Sequence, residues 1–219
     1  MLLIIKKETQ VAKVVTFANV KGGSGKSTLC INMAAILIRA GYSVAIIDAD
    51  QQKCAQDWIT GTKDKLLSRV EIIEPVELKE AEDVEVDFLL IDTQGSLTKE
   101  MAQFLFQSSL IITPCRASRD DIVGQGWIEV FIKQSNQNIK KAPILTVLNG
   151  VNKRSSILSH VIEQLKEDGV QVAETCISQR VCFAETNVNK ISVIGYNKHA
   201  TKEIVDLTNE ALNLIKSEV

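Results

Sequence analysis

The chain has 219 residues, with 25 Lys and Arg against 27 Asp and Glu and a formal net charge of −2. That length suits about one domain, and the charge balance excludes a wholesale basic nucleic-acid binder, leaving any such contact to a local patch. Apolar residues make up 45% and charged residues 24%, which excludes a disordered chain, and no apolar run approaches the roughly 18 residues of a membrane span.

The first ten residues, MLLIIKKETQ, carry too short an apolar run for a signal-peptide core. They read as an N-terminal extension of a cytoplasmic protein. Beyond them, strand-length apolar runs alternate with stretches of helical spacing. Strands are expected over residues 14–18, 44–48, 70–73, 87–92, 110–113 and 144–149. Their near-continuous Val, Ile and Leu content suits strands buried on both faces, hence a mostly parallel sheet. Helices are expected over 26–40, 77–83, 98–107, 120–134, 155–168 and 201–215. Gly41 and Gly169 stand just past two of them, where helices stop. With three prolines, no repeat and no linker composition, residues 1–219 read as one doubly wound α/β domain with helices on both faces. Ligands of such domains lie beyond the carboxyl ends of the strands. The five cysteines, odd in number and without a C-x-x-C, are expected to be buried, reduced thiols.

The most informative segment follows the first strand: Lys21, Gly22, Gly23, Ser24, Gly25, Lys26, Ser27 and Thr28. Glycines let the backbone curl so that successive N–H groups face one point. The positive end of the next helix adds to this anion site. Lys26 is placed to reach β- and γ-phosphates, and the Ser27 hydroxyl to ligate Mg²⁺. The strict pattern G-x-x-x-x-G-K-[ST] fails, because Val20 occupies its first glycine position. What is present is K-G-G-x-G-K-[ST], headed by a second lysine, Lys21.

This segment resembles the deviant Walker A motif of the ParA/MinD family of P-loop ATPases, most closely the small plasmid-type ParA partition proteins that have no added N-terminal DNA-binding domain. Further segments resemble the family in order. Val44 to Gln52 resembles its I-D-x-D-P-Q motif, Val86 to Gly95 its Walker B strand with the switch-loop glycine Gly95, and Ile111 to Ser118 its P-x-x-P-S stretch. Asn149 falls where the family has an Asn near the base, and Gln179-Arg180 begins a segment resembling one near the nucleotide. The resemblance spans roughly residues 14–200 and implies ATP and Mg²⁺ as ligands. Two departures stand out: Gln51 occupies the family's proline position and Lys53 its glycine position.

Asp48, Asp50 and Asp92 all fall at or just past strand ends. Carboxylates there can hold the water shell that Mg²⁺ retains. Asp92 is the natural Walker B residue, and Asp48 is a candidate for the ion's outer shell. Each Asp alone could equally cap a following helix. The resemblance gives Asp50 the task of positioning or deprotonating the attacking water. It gives Lys21 a reach across an ATP-bound homodimer to the partner's phosphates, as an arginine finger in trans does. The catalytic set is therefore Lys21, Lys26 and Asp50.

Charge is uneven along the chain. Residues 71–100 hold ten acidic residues and two lysines, whereas residues 133–202 hold ten basic and five acidic ones. Lys140, Lys141, Lys153, Arg154, Arg180 and Lys198 are candidates for non-specific DNA contacts, with solvated helix faces as the other reading. The last helix carries Glu203, Asp206, Glu210 and Glu218 against Lys216. Anionic lipid would repel such a face, so core packing is expected and a membrane partner is not. His160 and His199 read as exposed helix positions, and Trp58 and Trp127 as core or interface residues on helices. Cluster cysteines of an iron protein and a terminal tyrosine cluster of a kinase are absent. The expected activity is slow, partner-stimulated ATP hydrolysis. It would drive plasmid or chromosome partition with a ParB-like centromere-binding protein. The alternatives are a positioning ATPase for protein or membrane cargo and an accessory ATPase of DNA transfer.

Overall fold

The structure is a computed structural model that describes residues 11–75, 84–96, 98–118 and 142–217, with residues 122, 126, 128, 130 and 131 between the last two spans. Residues 1–10, the helix expected over 77–83, most of the one over 120–134, and Arg119, Trp127, Lys140 and Lys141 lie outside the described residues.

Seven strands form one parallel sheet: β1 (Lys13–Phe17), β2 (Val44–Asp48), β3 (Glu71–Ile73), β4 (Phe88–Asp92), β5 (Leu110–Cys115), β6 (Ile144–Val151) and β7 (Ile177–Ser178). Their order across the sheet is β3-β2-β4-β1-β5-β6-β7, and every pairing is parallel. The helices are α1 (Lys26–Arg39), α2 (Cys54–Thr60), α3 (Lys99–Gln107), α4 (Ser156–Glu167), α5 (Val181–Val188) and α6 (Lys198–Ser217).

The unbroken apolar strands follow from burial on two sides. Val15, Phe17, Val44, Ile46, Phe88 and Leu90 pack with α1, Trp58 of α2 and the inner stripe of α6. Their neighbours Val14, Ala45, Ile47, Leu89 and Ile91 face the opposite way, against Phe104 of α3. Met101, Leu105 and Ile128 continue that second layer over Ile111, and Leu158, Val161 and Leu165 of α4 cover Leu148 and Val151. Alternation is thus present in the contacts though absent from the hydropathy, as a sheet between two helical layers requires.

Most expected elements appear with shifts of a residue or two at their ends. β5 and β6 run two residues further than expected. β7 and α5 lie outside the helices and strands expected from periodicity, and α2 is foreshadowed only by the placing of Trp58 on a helix; Trp58 is buried there as expected. α2 has no local capping signal: its N-cap is Lys53 in a left-handed conformation, without a side-chain cap. β7 has only two residues. Cys30, Cys115, Cys176 and Cys182 are buried as expected, but Cys54 is exposed, because it opens α2 on the solvent side. Among the described residues no helix is long and apolar enough to cross a membrane.

Candidate nucleotide-binding site

Strand register brings the key residues together. Phe17 and Asp48 both stand in register with Asp92, so the carboxyl ends of β1, β2 and β4 lie side by side. The glycine-rich loop leaves β1 there and enters α1, whose N-cap is Gly25. Gly25 has φ +98° and Gly23 φ +71°, left-handed values that disfavour a side chain. A Cβ on Gly25 would stand 2.1 Å from Nδ2 of Asn149.

Neighbouring strands hold the loop from outside. Asn19, fully buried, donates from Nδ2 to the Pro114 carbonyl at 2.6 Å and accepts from the Lys21 N–H at 2.9 Å. Arg116, just past β5, donates to the Gly23 carbonyl. Asn149, in β6, donates from Nδ2 to the Ser24 carbonyl at 2.7 Å. In this structure, then, the Asn149 amide is spent on the loop backbone. Gly95 packs against the loop head, where a Cβ would come within 3.0 Å of the Gly22 nitrogen. Neither Asn19 nor Arg116 stands among the candidates that the sequence singles out. No spacing rule flags either, because both act on backbone carbonyls or N–H groups.

Lys26 and Asp92 are both buried beneath the loop. Burial pushes the Lys26 ammonium below its usual range, opposed by the charges of Asp92 and Asp50. Burial also pushes the Asp92 carboxyl up to about 7; Asp48 and Asp50 raise it further, while Ser27 and Lys26 oppose. The Ser27 hydroxyl faces Asp92 closely enough to favour its ionised form, yet neither Asp92 oxygen closes a full hydrogen bond among the described residues. A buried carboxylate left without partners, beside a hydroxyl, fits a hydrated divalent cation.

Asp48 has a second task. Its Oδ1 accepts from the Asp50 N–H at 3.0 Å and its Oδ2 from the Gln56 N–H at 2.9 Å. It therefore caps α2 from eight residues upstream and fixes the Asp50 loop. Asp50 is half-buried and accepts from the Gln52 N–H at 2.9 Å. Lys53, at the family's glycine position, has φ +51°, so the departure keeps the left-handed turn that glycine favours. Its Nζ donates to the Asp48 carbonyl at 2.6 Å and stands 3.8 Å from Glu74. A cleft of about 310 Å³ opens between this loop and the one after β4, lined by Gln51, Thr93, Gln94 and Met101 among others.

The basic candidates separate. Glu203, expected on the charged face of α6, is buried instead. Its Oε1 accepts from Lys153 Nζ at 2.8 Å, Arg180 Nη2 at 3.1 Å and Ser178 Oγ at 2.7 Å. Those hydrogen bonds hold its carboxyl down at about 2 against the opposing effect of burial. Lys153, exposed itself, and half-buried Arg180 are thus paired with a buried carboxylate, whereas Arg154 and Lys198 are exposed positions outside that cluster.

The chain matches the model of the CobQ/CobB/MinD/ParA nucleotide binding domain over residues 15–193. It belongs to that family. Among its relatives is the maintenance of carboxysome distribution protein A of Halothiobacillus neapolitanus, 25% identical over 92% of this chain and 97% of that protein. Protein ParA of Rhizobium radiobacter is 22% identical over 86% of each chain. In fold, the chain is similar to a plasmid partition protein of Borrelia burgdorferi bound to AMPPNP, with a TM-score of 0.72 and 20% identity, over 95% of this chain and all of that one. The matched span contains the braced loop, Asp48, Asp50, Asp92 and Asn149. The chain is thus a ParA/MinD-family nucleotide-binding domain of the ATPase type.

Proposed function

We propose that residues 1–219 form a single P-loop ATPase domain that dimerises on Mg-ATP, binds DNA non-specifically in that state, and drives plasmid or chromosome partition. A ParB-like centromere-binding protein would stimulate hydrolysis and so release the dimer from DNA. The observation that carries this reading is the partnerless, buried Asp92 carboxylate facing Ser27 and Lys26 under a braced glycine-rich loop. Ser27, Asp92 and Asp48 would hold a hydrated magnesium ion there, and it would supply positive charge beside the β- and γ-phosphates.

Each residue has a defined part. The N–H groups of Gly22, Gly23, Ser24, Gly25, Lys26, Ser27 and Thr28 receive phosphate oxygens, and Lys26 adds its charge. Ser27 offers its hydroxyl to the metal, with Asp92 and Asp48 holding metal-bound water. Asp50 orients the attacking water and takes its proton. Lys21 reaches the partner subunit's phosphates, which couples turnover to dimerisation. Asn149 retains a part near the base in addition to its hold on Ser24. Gly95 lets the loop after β4 follow the phosphate end. Arg154 and Lys198, with Lys140 and Lys141, are the stronger DNA candidates, because Lys153 and Arg180 are partly neutralised by Glu203. The protein is placed in the cytoplasm, on the nucleoid when ATP is bound.

Co-sedimentation with non-specific duplex at roughly 0.1 M salt, where phosphate contacts survive, tests this reading. Retention with Mg-ATP and release with Mg-ADP is expected. No retention with either nucleotide contradicts the partition reading. A second reading, an ATPase that positions a protein cargo, is favoured by the carboxysome-distribution relative. Nucleotide-dependent capture of a protein cargo without DNA retention would support it, and flotation with liposomes would point to a membrane cargo.

A further inference from the structure

In the phosphate reading, the loop of residues 21–25 turns its N–H groups inward and its carbonyls outward. Two side chains meet consecutive outward carbonyls. Arg116 donates from Nη2 to Gly23, and Asn149 donates from Nδ2 to Ser24. They arrive from the ends of adjacent strands, β5 and β6. The peptide units joining Gly23 to Ser24 and Ser24 to Gly25 are therefore both held from the outside. A hydrogen bond accepted by a carbonyl polarises its peptide and strengthens the N–H on the other side as a donor. The N–H groups strengthened here belong to Ser24 and Gly25.

The two braces are unequal. Asn149 is neutral, whereas Arg116 brings a full positive charge, and charge-assisted hydrogen bonds are about twice as strong as neutral ones. Among the described residues the Arg116 guanidinium is joined to no carboxylate, so its charge acts on the loop. The guanidinium also lies over Gly23 itself, with Nη2 at 3.6 Å from the place a Cβ would occupy. Gly23 sits at φ +71°, a left-handed conformation that glycine adopts without steric cost but whose fixing takes more freedom from it than from any other residue. An external hold at this point limits that freedom without adding a side chain to the loop.

We propose that Arg116 is a positioning residue of the nucleotide site, a cationic brace that sets and polarises the Gly23–Ser24 peptide for the phosphates of a nucleoside triphosphate. This inference rests on the reading of the loop as an ATP site. Arg116 is exposed, so solvent competes for its bond and a modest effect is expected: about tenfold in triphosphate affinity on removal.

The test measures binding of a fluorescent ATP analogue and steady-state hydrolysis in wild type, Arg116→Ala and Arg116→Lys, beside their melting temperatures. Arg116→Ala is expected to melt with wild type, to bind the analogue about tenfold more weakly, and to raise KM more than it lowers kcat. Arg116→Lys should recover part of the affinity. Added guanidinium, far below its denaturing range, should restore binding to Arg116→Ala while leaving wild type unchanged. Equal binding by Arg116→Ala and wild type overturns the brace alone. So does a loss that tracks a fall in melting temperature and yields to neither lysine nor guanidinium. Wild type that binds no nucleotide overturns the ATP reading, and the brace with it.

Discussion

Gly95 touches Gly22: a Cβ built on Gly95 would stand 3.0 Å from the Gly22 nitrogen and 3.2 Å from the Lys21 carbonyl carbon. The loop that follows the buried Asp92 is thereby in direct contact with the head of the phosphate loop. Backbone, unlike a flexible side-chain tip, cannot easily retreat from a methyl group. Gly95→Ala should push the two loops apart by a few tenths of an ångström. The expected outcome is a several-fold loss of ATP affinity and a larger loss of turnover, with little change in melting temperature. Calorimetric binding beside a phosphate-release assay checks it.

Gly25→Ala carries two faults at once. The methyl group would overlap Asn149, and φ +98° would place an alanine in a strained region. Nucleotide binding should fall by at least a hundredfold. Adding Asn149→Ala should not restore it, because the overlap is relieved while a backbone cost of about 1–2 kcal/mol remains and the brace on Ser24 is gone. Titration with ATP in both variants reads this out.

Asp92 links nucleotide binding to pH. Its carboxyl is pushed up to about 7, chiefly by burial, whereas an unfolded Asp titrates near 3.9. Between these values the folded apoprotein binds the extra proton, so acidification from about 7 towards 4 stabilises it, and raising the pH through 7 removes that contribution. Asp92→Asn abolishes the titration. At pH 8 the variant should be more stable than wild type by about 4 kcal/mol, with most of the advantage gone near pH 4. Its hydrolysis should be lost. Melting curves across pH without nucleotide or Mg²⁺ are the measurement.

Glu203 has the opposite sign. Its carboxyl sits at about 2 in the folded protein, below its ordinary value near 4.3. Its contribution is therefore complete above that ordinary value and is lost as pH falls through about 2. Because Lys153 and Arg180 keep 47% and 30% of their side chains exposed, solvent screens the cluster and its loss costs about 1–2 kcal/mol. For a chain of this size that lowers the melting temperature by about 2–8 °C. Glu203→Ala should show this loss at pH 7, and much less of it at pH 2. The same variant releases Lys153 and Arg180, so a gain in DNA retention would bring them back among the contact residues.

The sheet, its parallel sense and the glycine loop were legible because their signals are local: unbroken apolar runs, a loop of left-handed glycines, and carboxylates at strand ends. The missed elements depend on distant partners. α2 is capped by Asp48 across the Asp50 loop rather than by a residue at its own start. Lys53 looks like a departure until its φ of +51° shows the turn preserved. Glu203 is charged by type but buried by its partners Lys153, Arg180 and Ser178, which lie 50, 23 and 25 residues away. Arg116 and Asn19 act on backbone groups, and no side-chain pattern marks that.

In the proposed cycle ATP drives two chains together and hydrolysis ends the association. Asp50→Ala should bind ATP, hydrolyse it poorly and hold the bound state. Its mass in solution, measured by light scattering after size exclusion, is the direct test. Twice the chain mass is expected with Mg-ATP and a single chain with Mg-ADP. A single chain in both, with ATP binding demonstrated by calorimetry, would contradict it.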